Sequence, residues 1–232
     1  MNTFAILPAA GIGTRMAANK PKQFLLLAGE PVLIHTLRTF LAIPRISELI
    51  LAVQPAEIDH VRALLNDFHL TSRIRIVAGG ENRQQSVANA LAALAASDDD
   101  IVLVHDAVRP LIDAATIERT IDAVIANGAA IVGLPAIDTI KQVERTAHGA
   151  LITATIPREN IVLAQTPQGF RLGLLRLCFA EADADGFIGT DEASLVERAG
   201  HAVAVVPGSP RNLKVTQPGD LELAEFHLRH SR

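Results

Sequence analysis

"ILPAAGIGTRMAANKPKQF", Ile6 to Phe24, opens as an apolar run, passes into small residues and glycine, and then delivers Arg15, Lys20 and Lys22. The apolar run reads as a buried strand. Gly11 and Gly13 after it read as a turn whose backbone can approach a ligand closely or take φ > 0. Backbone N–H groups beside Arg15 and Lys22 make an anion site, and a phosphate chain is its natural occupant. This is not a Walker A loop, because G-x-x-x-x-G-K-[ST] is absent. Nor is it the dinucleotide fingerprint, since Met16 stands where a third glycine belongs. The plainer alternative is a strand-to-helix turn with surface cations.

Working outward, apolar β-branched runs at residues 3–9, 48–53, 73–79, 100–107, 129–136, 160–167 and 201–208 predict strands. Helical patterns fall between them at 32–42, 56–68, 82–96, 113–126, 172–184, 191–199 and 219–230. Near-continuous apolar strands imply a sheet covered on both faces. Their alternation with helices predicts an α/β, Rossmann-like, mostly parallel doubly wound sheet. Residues 138–160 break the alternation with two short β-like runs, 139–143 and 151–156, joined by a polar turn at His148-Gly149. This predicts a β-hairpin arm inserted into a single domain spanning 1–232. A lone two-stranded hairpin is marginal in water, so a second subunit is one answer to what it packs on.

The totals narrow the function. A chain of 232 residues is long enough to bury a large core without a staple. Cys178 is the only cysteine, which excludes an internal disulfide and fits a reducing compartment. The N-terminal apolar run is too short for a signal h-region or a membrane span, so a cytoplasmic protein without a membrane partner is expected. Net charge is −4, and Trp and Tyr are absent, which argues against nucleic-acid binding.

In an open α/β sheet, ligands bind outside the carboxyl ends of the strands. Four further stretches sit there. In "AGGENRQQS" two glycines end a strand and Arg83 and Ser86 start a helix; the stretch reads a base or sugar through backbone groups and the Ser86 hydroxyl, or is an ordinary helix start with Glu81 suited to the dipole. "IVLVHDAVRP" ends a strand in His105, Asp106 and Arg109. A carboxylate there, in a phosphate-handling protein, suggests Mg²⁺, which takes one or two carboxylates plus substrate phosphates. A capping or ion-paired Asp106 is the alternative, and His105 reads as structural. In "GTDEASLVERAG", Thr190 or Asp191 reads as an N-cap. In "NLKVTQPGDL", Lys214 falls in a short β-like piece before a Pro-Gly helix start.

Together "LPAAGIGTRM", "PKQ", "VHDAVRP", "DTIK", "TPQGF", "TDEAS" and "NLKVT" resemble, in order and spacing, the 2-C-methyl-D-erythritol 4-phosphate cytidylyltransferase family of nucleotidyltransferases. The resemblance runs from about Phe4 to Phe226. It implies cytidylyl transfer from CTP to a polyol phosphate in non-mevalonate isoprenoid precursor synthesis, with Mg²⁺ or another divalent cation. It also implies a homodimer interlocked through the β-arm. Carried over, Ala9, Ala10, Gly11, Gly13, Gly80, Glu81 and Ser86 would lie along the nucleotide. Glu81 stands where the family often has Asp. Arg15 and Lys22 would stabilise charge on the α-phosphate and departing diphosphate. Asp106 would meet the metal or the acceptor's hydroxyls. Arg109, Thr190 and Lys214 would hold the acceptor phosphate, with Thr139 and Arg158 supplied by the partner's arm. Arg15, Lys22, Arg158 and Lys214 would be the catalytic residues. Arg211 occupies a neighbourhood where many members carry an acid.

Rival readings remain at this level. A cytidylyltransferase for another acceptor, such as ribitol 5-phosphate, would share the nucleotide half. A non-catalytic nucleotide-binding module would share the fold. A dinucleotide oxidoreductase would need the missing third glycine.

Overall fold

The computed structural model describes residues 1–11 and 21–230. Gly13, Arg15 and Lys20 therefore lie outside the described residues. The strands are β1 (Thr3–Pro8), β2 (Leu26–Leu27), β3 (Glu30–Pro31), β4 (Ile46–Val53), β5 (Ile74–Ala78), β6 (Ile101–Val104), β7 (Ala129–Pro135), β8 (Ile140–Thr146), β9 (Gly149–Ile156), β10 (Val162–Arg171) and β11 (Ala204–Pro207). The helices are α1 (Val32–Leu41), α2 (Ile58–Asp67), α3 (Arg83–Ala93), α4 (Ala114–Asn127), α5 (Leu172–Ala184), α6 (Glu192–Arg198) and α7 (Pro218–Arg229).

Among the described residues, seven strands form one sheet in the order β11-β7-β10-β6-β1-β4-β5. Six run parallel and β10 runs against them, which bears out the mostly parallel α/β expectation. Side chains alternate across a strand, so a strand buried on both faces must be apolar throughout. Ala5, Leu7, Leu49, Leu51, Ile101 and Leu103 join α1, α2 and α4 in one core. Phe4, Ile6, Ile50, Ala52, Val102 and Val104 face the other way, onto α3, α5 and α6. The sheet is thus wound on both sides, as the continuous apolar runs predict.

Local chemistry sets the helix starts. Asn82, Asp113 and Asp191 each accept a backbone N–H from three residues on, capping α3, α4 and α6. The α7 start has Pro218 in its first turn and a capping box between Gln217 and Asp220.

Three differences from the sequence expectation matter. The strand expected to stop at Pro167 continues to Arg171. Pro167 and Gly169 read as breakers, yet Gln168–Arg171 pairs with β6 on one side. A Cβ on Gly169 would lie 2.7 Å from Val124 Cγ2 and 2.8 Å from Leu103 Cδ2, so close packing of β10 on α4 and β6 requires glycine there. Lys214, expected in a β-like piece, lies in irregular chain held by one ladder-like bond, Val215 N–H to Val108 O at 2.9 Å. The third is the small β2–β3 ribbon, two residues on each side, which is too short to leave a periodic pattern in the sequence. The hairpin is present as β8 and β9, paired only with each other, with Val143, Leu151 and Ile152 exposed.

Gly169→Ala should lower stability by about 1–3 kcal/mol, the usual cost of forcing a methyl into a filled core. Urea titration should show a lower midpoint at an unchanged slope, whereas an unchanged midpoint would refute the packing assignment.

Candidate active site

The site forms at the carboxyl edge, where the chain leaves β1 toward β4 on one side and finds β6 on the other. That is the topological switch point of a doubly wound sheet. Among the described residues, Ala9, Ala10, Gly11, Lys22, Gly80, Glu81, Asn82 and Ser86 line one cleft there, with Arg83, Asp106 and Lys214. A second cleft is lined by Arg83, Asp106, Arg109, Thr166, Gln168, Thr190, Asp191 and Lys214. Arg83, Asp106 and Lys214 belong to both, so they form the wall the clefts share.

In the first cleft, glutamines fix the loop after β1. Gln23 Nε2 donates to Ala9 O at 2.7 Å, and Gln54 Nε2 donates to Ala10 O at 2.9 Å. With those carbonyls occupied, they are held by the protein rather than presented to an anion. The opposite wall is the turn before α3. Ser86 Oγ accepts from Gly80 N–H at 3.0 Å and donates to Asn82 O at 2.8 Å. Its single proton is committed to the loop, leaving only acceptor capacity for a ligand.

The shared wall is built on Asp106, just past β6. Its Oδ1 accepts from Arg83 Nε at 3.3 Å. Its Oδ2 accepts from Arg109 Nε at 3.2 Å and pairs with Lys214 Nζ at 2.9 Å. Burial alone would raise the Asp106 carboxyl. The three cations override it and hold it well below the usual carboxylate range. Arg83 Nη1 also pairs with Glu192 Oε1 at 2.7 Å. Burial pushes the Glu192 carboxyl above its ordinary value, against the pull of Arg83.

His105 is structural, as read from sequence. Its Nε2–H donates to Arg109 O at 3.2 Å. Nδ1 must then accept from Thr166 Oγ1–H at 3.0 Å, while Thr166 Oγ1 accepts from Asp106 N–H at 3.1 Å. This chain of bonds fixes one neutral tautomer and ties β10 to the end of β6. Burial pushes His105 down to about 4.

Of the remaining expected residues, Asp191 rather than Thr190 is the N-cap of α6, and Gln168 Nε2 holds its free oxygen at 2.7 Å. Thr139 and Arg158 line neither cleft. They sit exposed at the root of the hairpin, with Arg158 Nη1 donating to Ile137 O at 2.5 Å. Arg211 also lies outside both clefts, donating to His227 O near the end of α7. Sequence reading noted Arg83 without assigning it, and it missed Glu192, Gln23 and Gln168.

No group of three His, Cys, Asp or Glu able to hold a metal occurs among the described residues. Asp106 is the one carboxylate common to both clefts, and its oxygens already face cations. This donor set fits a Mg²⁺ carried in on a triphosphate, with one oxygen from the protein. It does not fit a metal held by protein alone. No helix among the described residues is long and apolar enough to cross a membrane.

Glycine-rich backbone and cations at the switch point of a doubly wound sheet suit a nucleotide's phosphate chain, and the sequence match places the chain among the nucleotidyltransferases. The chain matches the 2-C-methyl-D-erythritol 4-phosphate cytidylyltransferase family over residues 3–230 and belongs to it. A relative of that name from Acidobacterium capsulatum is 68% identical over 234 residues, covering 99% of this chain and 98% of its own. One from Solibacter usitatus is 50% identical, covering 99% and 96%. The crystal structure of the Francisella tularensis 2-C-methyl-D-erythritol 4-phosphate cytidylyltransferase superposes with a TM-score of 0.82 at 34% identity, covering 97% and 99%.

His105 yields a pH prediction. Its folded pKa lies below the ordinary histidine value of about 6.5, so the unfolded chain takes up a proton that the folded chain refuses. Its contribution is complete above about pH 6.5 and is lost as pH falls toward 4, by about 3 kcal/mol in all. Urea midpoints at pH 7, 6 and 5 should fall more steeply for wild type than for His105→Gln. Ring ¹⁵N shifts should keep His105 neutral at pH 5, and a protonated ring there would contradict the bonding pattern.

Proposed function

We propose that the chain transfers the cytidylyl group of CTP to 2-C-methyl-D-erythritol 4-phosphate, releasing diphosphate in isoprenoid precursor synthesis. The observation that carries the reading is the pair of clefts sharing the wall of Arg83, Asp106 and Lys214. A nucleotide in one and a phosphate acceptor in the other would meet at that wall. We assign the nucleotide to the cleft of Ala9, Ala10, Gly11, Gly80, Glu81 and Ser86, and Gly13, outside the described residues, is assigned to it from the sequence motif alone. The acceptor falls to Asp106, Arg109, Thr190 and Lys214.

The acceptor's phosphate oxygen attacks the α-phosphorus of CTP in line. A P–O bond forms there, the bond to the β-phosphate breaks, and its electron pair leaves on diphosphate. A phosphate monoester's second pKa is about 6, so the nucleophile is already an anion and needs no general base. The barrier is anion repulsion and charge building on the leaving group, which positioned cations relieve. Lys22 and Arg15 supply that charge on the diphosphate side, and Lys214 on the acceptor side. A Mg²⁺ on the triphosphate, met by one oxygen of Asp106, would neutralise further charge.

The reading also takes the chain as one domain acting as a homodimer. The exposed apolar residues of β8 and β9 support it, as does the placement of Thr139 and Arg158 at the hairpin root, away from their own clefts. Arg158 of one subunit would then complete the acceptor cleft of the other.

Three experiments test this. Lys22→Ala should lower turnover about 10²–10³-fold, the usual loss on removing one preorganised donor. Diphosphate release with CTP, UTP, ATP and GTP, each with methylerythritol phosphate and ribitol 5-phosphate, should favour CTP and the former. Preference for ribitol 5-phosphate would reassign the acceptor, and nucleotide binding without release would reject an enzyme. In mixed dimers, Arg158→Ala and Lys214→Ala subunits should regain one intact site, and no activity in verified heterodimers would count against a shared site.

A further inference from the structure

Glu192 is 1% exposed, yet its only ion-pair partner among the described residues is Arg83, and its Oε2 has no hydrogen-bond partner. A buried carboxylate left half-satisfied costs stability, and such a group in a native structure needs a reason. Glu192 lines neither cleft, so it is not placed to touch a substrate. Arg83 lines both. Arg83 is also held asymmetrically, at 2.7 Å by Glu192 and at 3.3 Å by Asp106. The shorter contact is the one remote from the site.

We propose that Glu192 is a positioning residue. From the first turn of α6 it fixes the Arg83 guanidinium against Asp106, so that the wall between the two clefts keeps its shape. A guanidinium is held in orientation by hydrogen bonds at two of its edges, and Glu192 and Asp106 supply them through Nη1 and Nε. Glu192 also follows Asp191, whose carboxylate is held by Gln168 of β10. The α6 start is therefore fixed to the sheet before it reaches Arg83. This couples the α3 side, where the nucleotide is assigned, to the α6 side, where the acceptor is assigned. It rests on the catalytic reading above for its consequence, though not for its geometry.

The test uses full-length protein and the variants Glu192→Gln, Arg83→Met and both together. Glu192→Gln keeps the shape and removes the charge. In the folded variant, kcat should fall about 10–100-fold, the scale of a small misplacement in a preorganised site, with KM for CTP within threefold of wild type. Lost packing alone would lower the melting temperature without that split. Against Arg83→Met, adding Glu192→Gln should bring no further loss of kcat, because the effect travels through Arg83. The Arg83 Nε–H resonance should be protected from exchange in wild type and unprotected in Glu192→Gln. If Glu192→Gln does not fold, Glu192→Asp, one methylene shorter, enters the same comparison. Turnover within threefold of wild type, an equal loss in the Arg83→Met background, or undiminished protection overturns the proposal. Wild type without turnover would defeat the catalytic reading alone, and the resonance would still decide the role of Glu192.

Discussion

A carboxylate buried at the carboxyl end of a central strand must be met by positive charge or it will not stay ionised. Asp106 is that carboxylate, and much of the site follows from meeting it. One cation comes from the first residue of α3, one from the loop after β6, and one from irregular chain before α7. Breaking such a buried pair by removing one partner commonly costs about 3–5 kcal/mol, because it leaves an unpaired charge. The segments bearing these cations are therefore held in register by electrostatics as well as by packing. Arg109 shows the linkage directly. It bonds Asp106 through Nε and Asn212 O through Nη1, so the chain carrying Lys214 is brought back beside β6.

The antiparallel strand completes the enclosure. Because β10 runs against its neighbours, its entry end lies at the edge where the other strands leave off. Thr166 and Gln168 therefore stand in the wall of the second cleft, with Thr190 and Asp191. Thr166 is locked to His105 and Asp106, and Gln168 to the start of α6. A neutral His105 suits this place. A charged ring there would be buried away from water beside Phe40, and that cost outweighs the attraction of Asp106.

The sheet and most helices were legible because their signal is local. Alternating burial on two faces leaves continuous apolar runs, and caps such as Asp113 and Asp191 announce the helices. Asp106 was legible by its position at a strand end and by resemblance, and Lys214 by resemblance alone. The continuation of β10 was not, since Pro167 and Gly169 are breakers by propensity and only the packing of α4 explains the glycine. The Arg83–Glu192 pair spans 109 positions, and no local pattern encodes that meeting. One clue was present. Glu192 falls three and four residues before Leu195 and Val196, on the buried stripe of α6, where an acid needs a partner.

The three cations around Asp106 differ in their freedom. Arg109 has 11% of its side chain exposed and is bonded on two sides. Arg83, at 29%, is gripped by two carboxylates. Lys214, at 36%, is a point charge on a flexible stem with Asp106 as its one ion-pair partner among the described residues. An arriving phosphate meets two cations fixed in place and one able to turn. Asp106 serves as the standing counter-ion that lets the chain assemble this charge before any ligand is present. Charge already in place needs little reorganisation when more negative charge develops beside it, and that is the condition under which electrostatic stabilisation acts most strongly. The cost of assembling like charges is thus met by Asp106 and Glu192 during folding. The lone unsatisfied oxygen of Glu192 is where part of that cost remains visible.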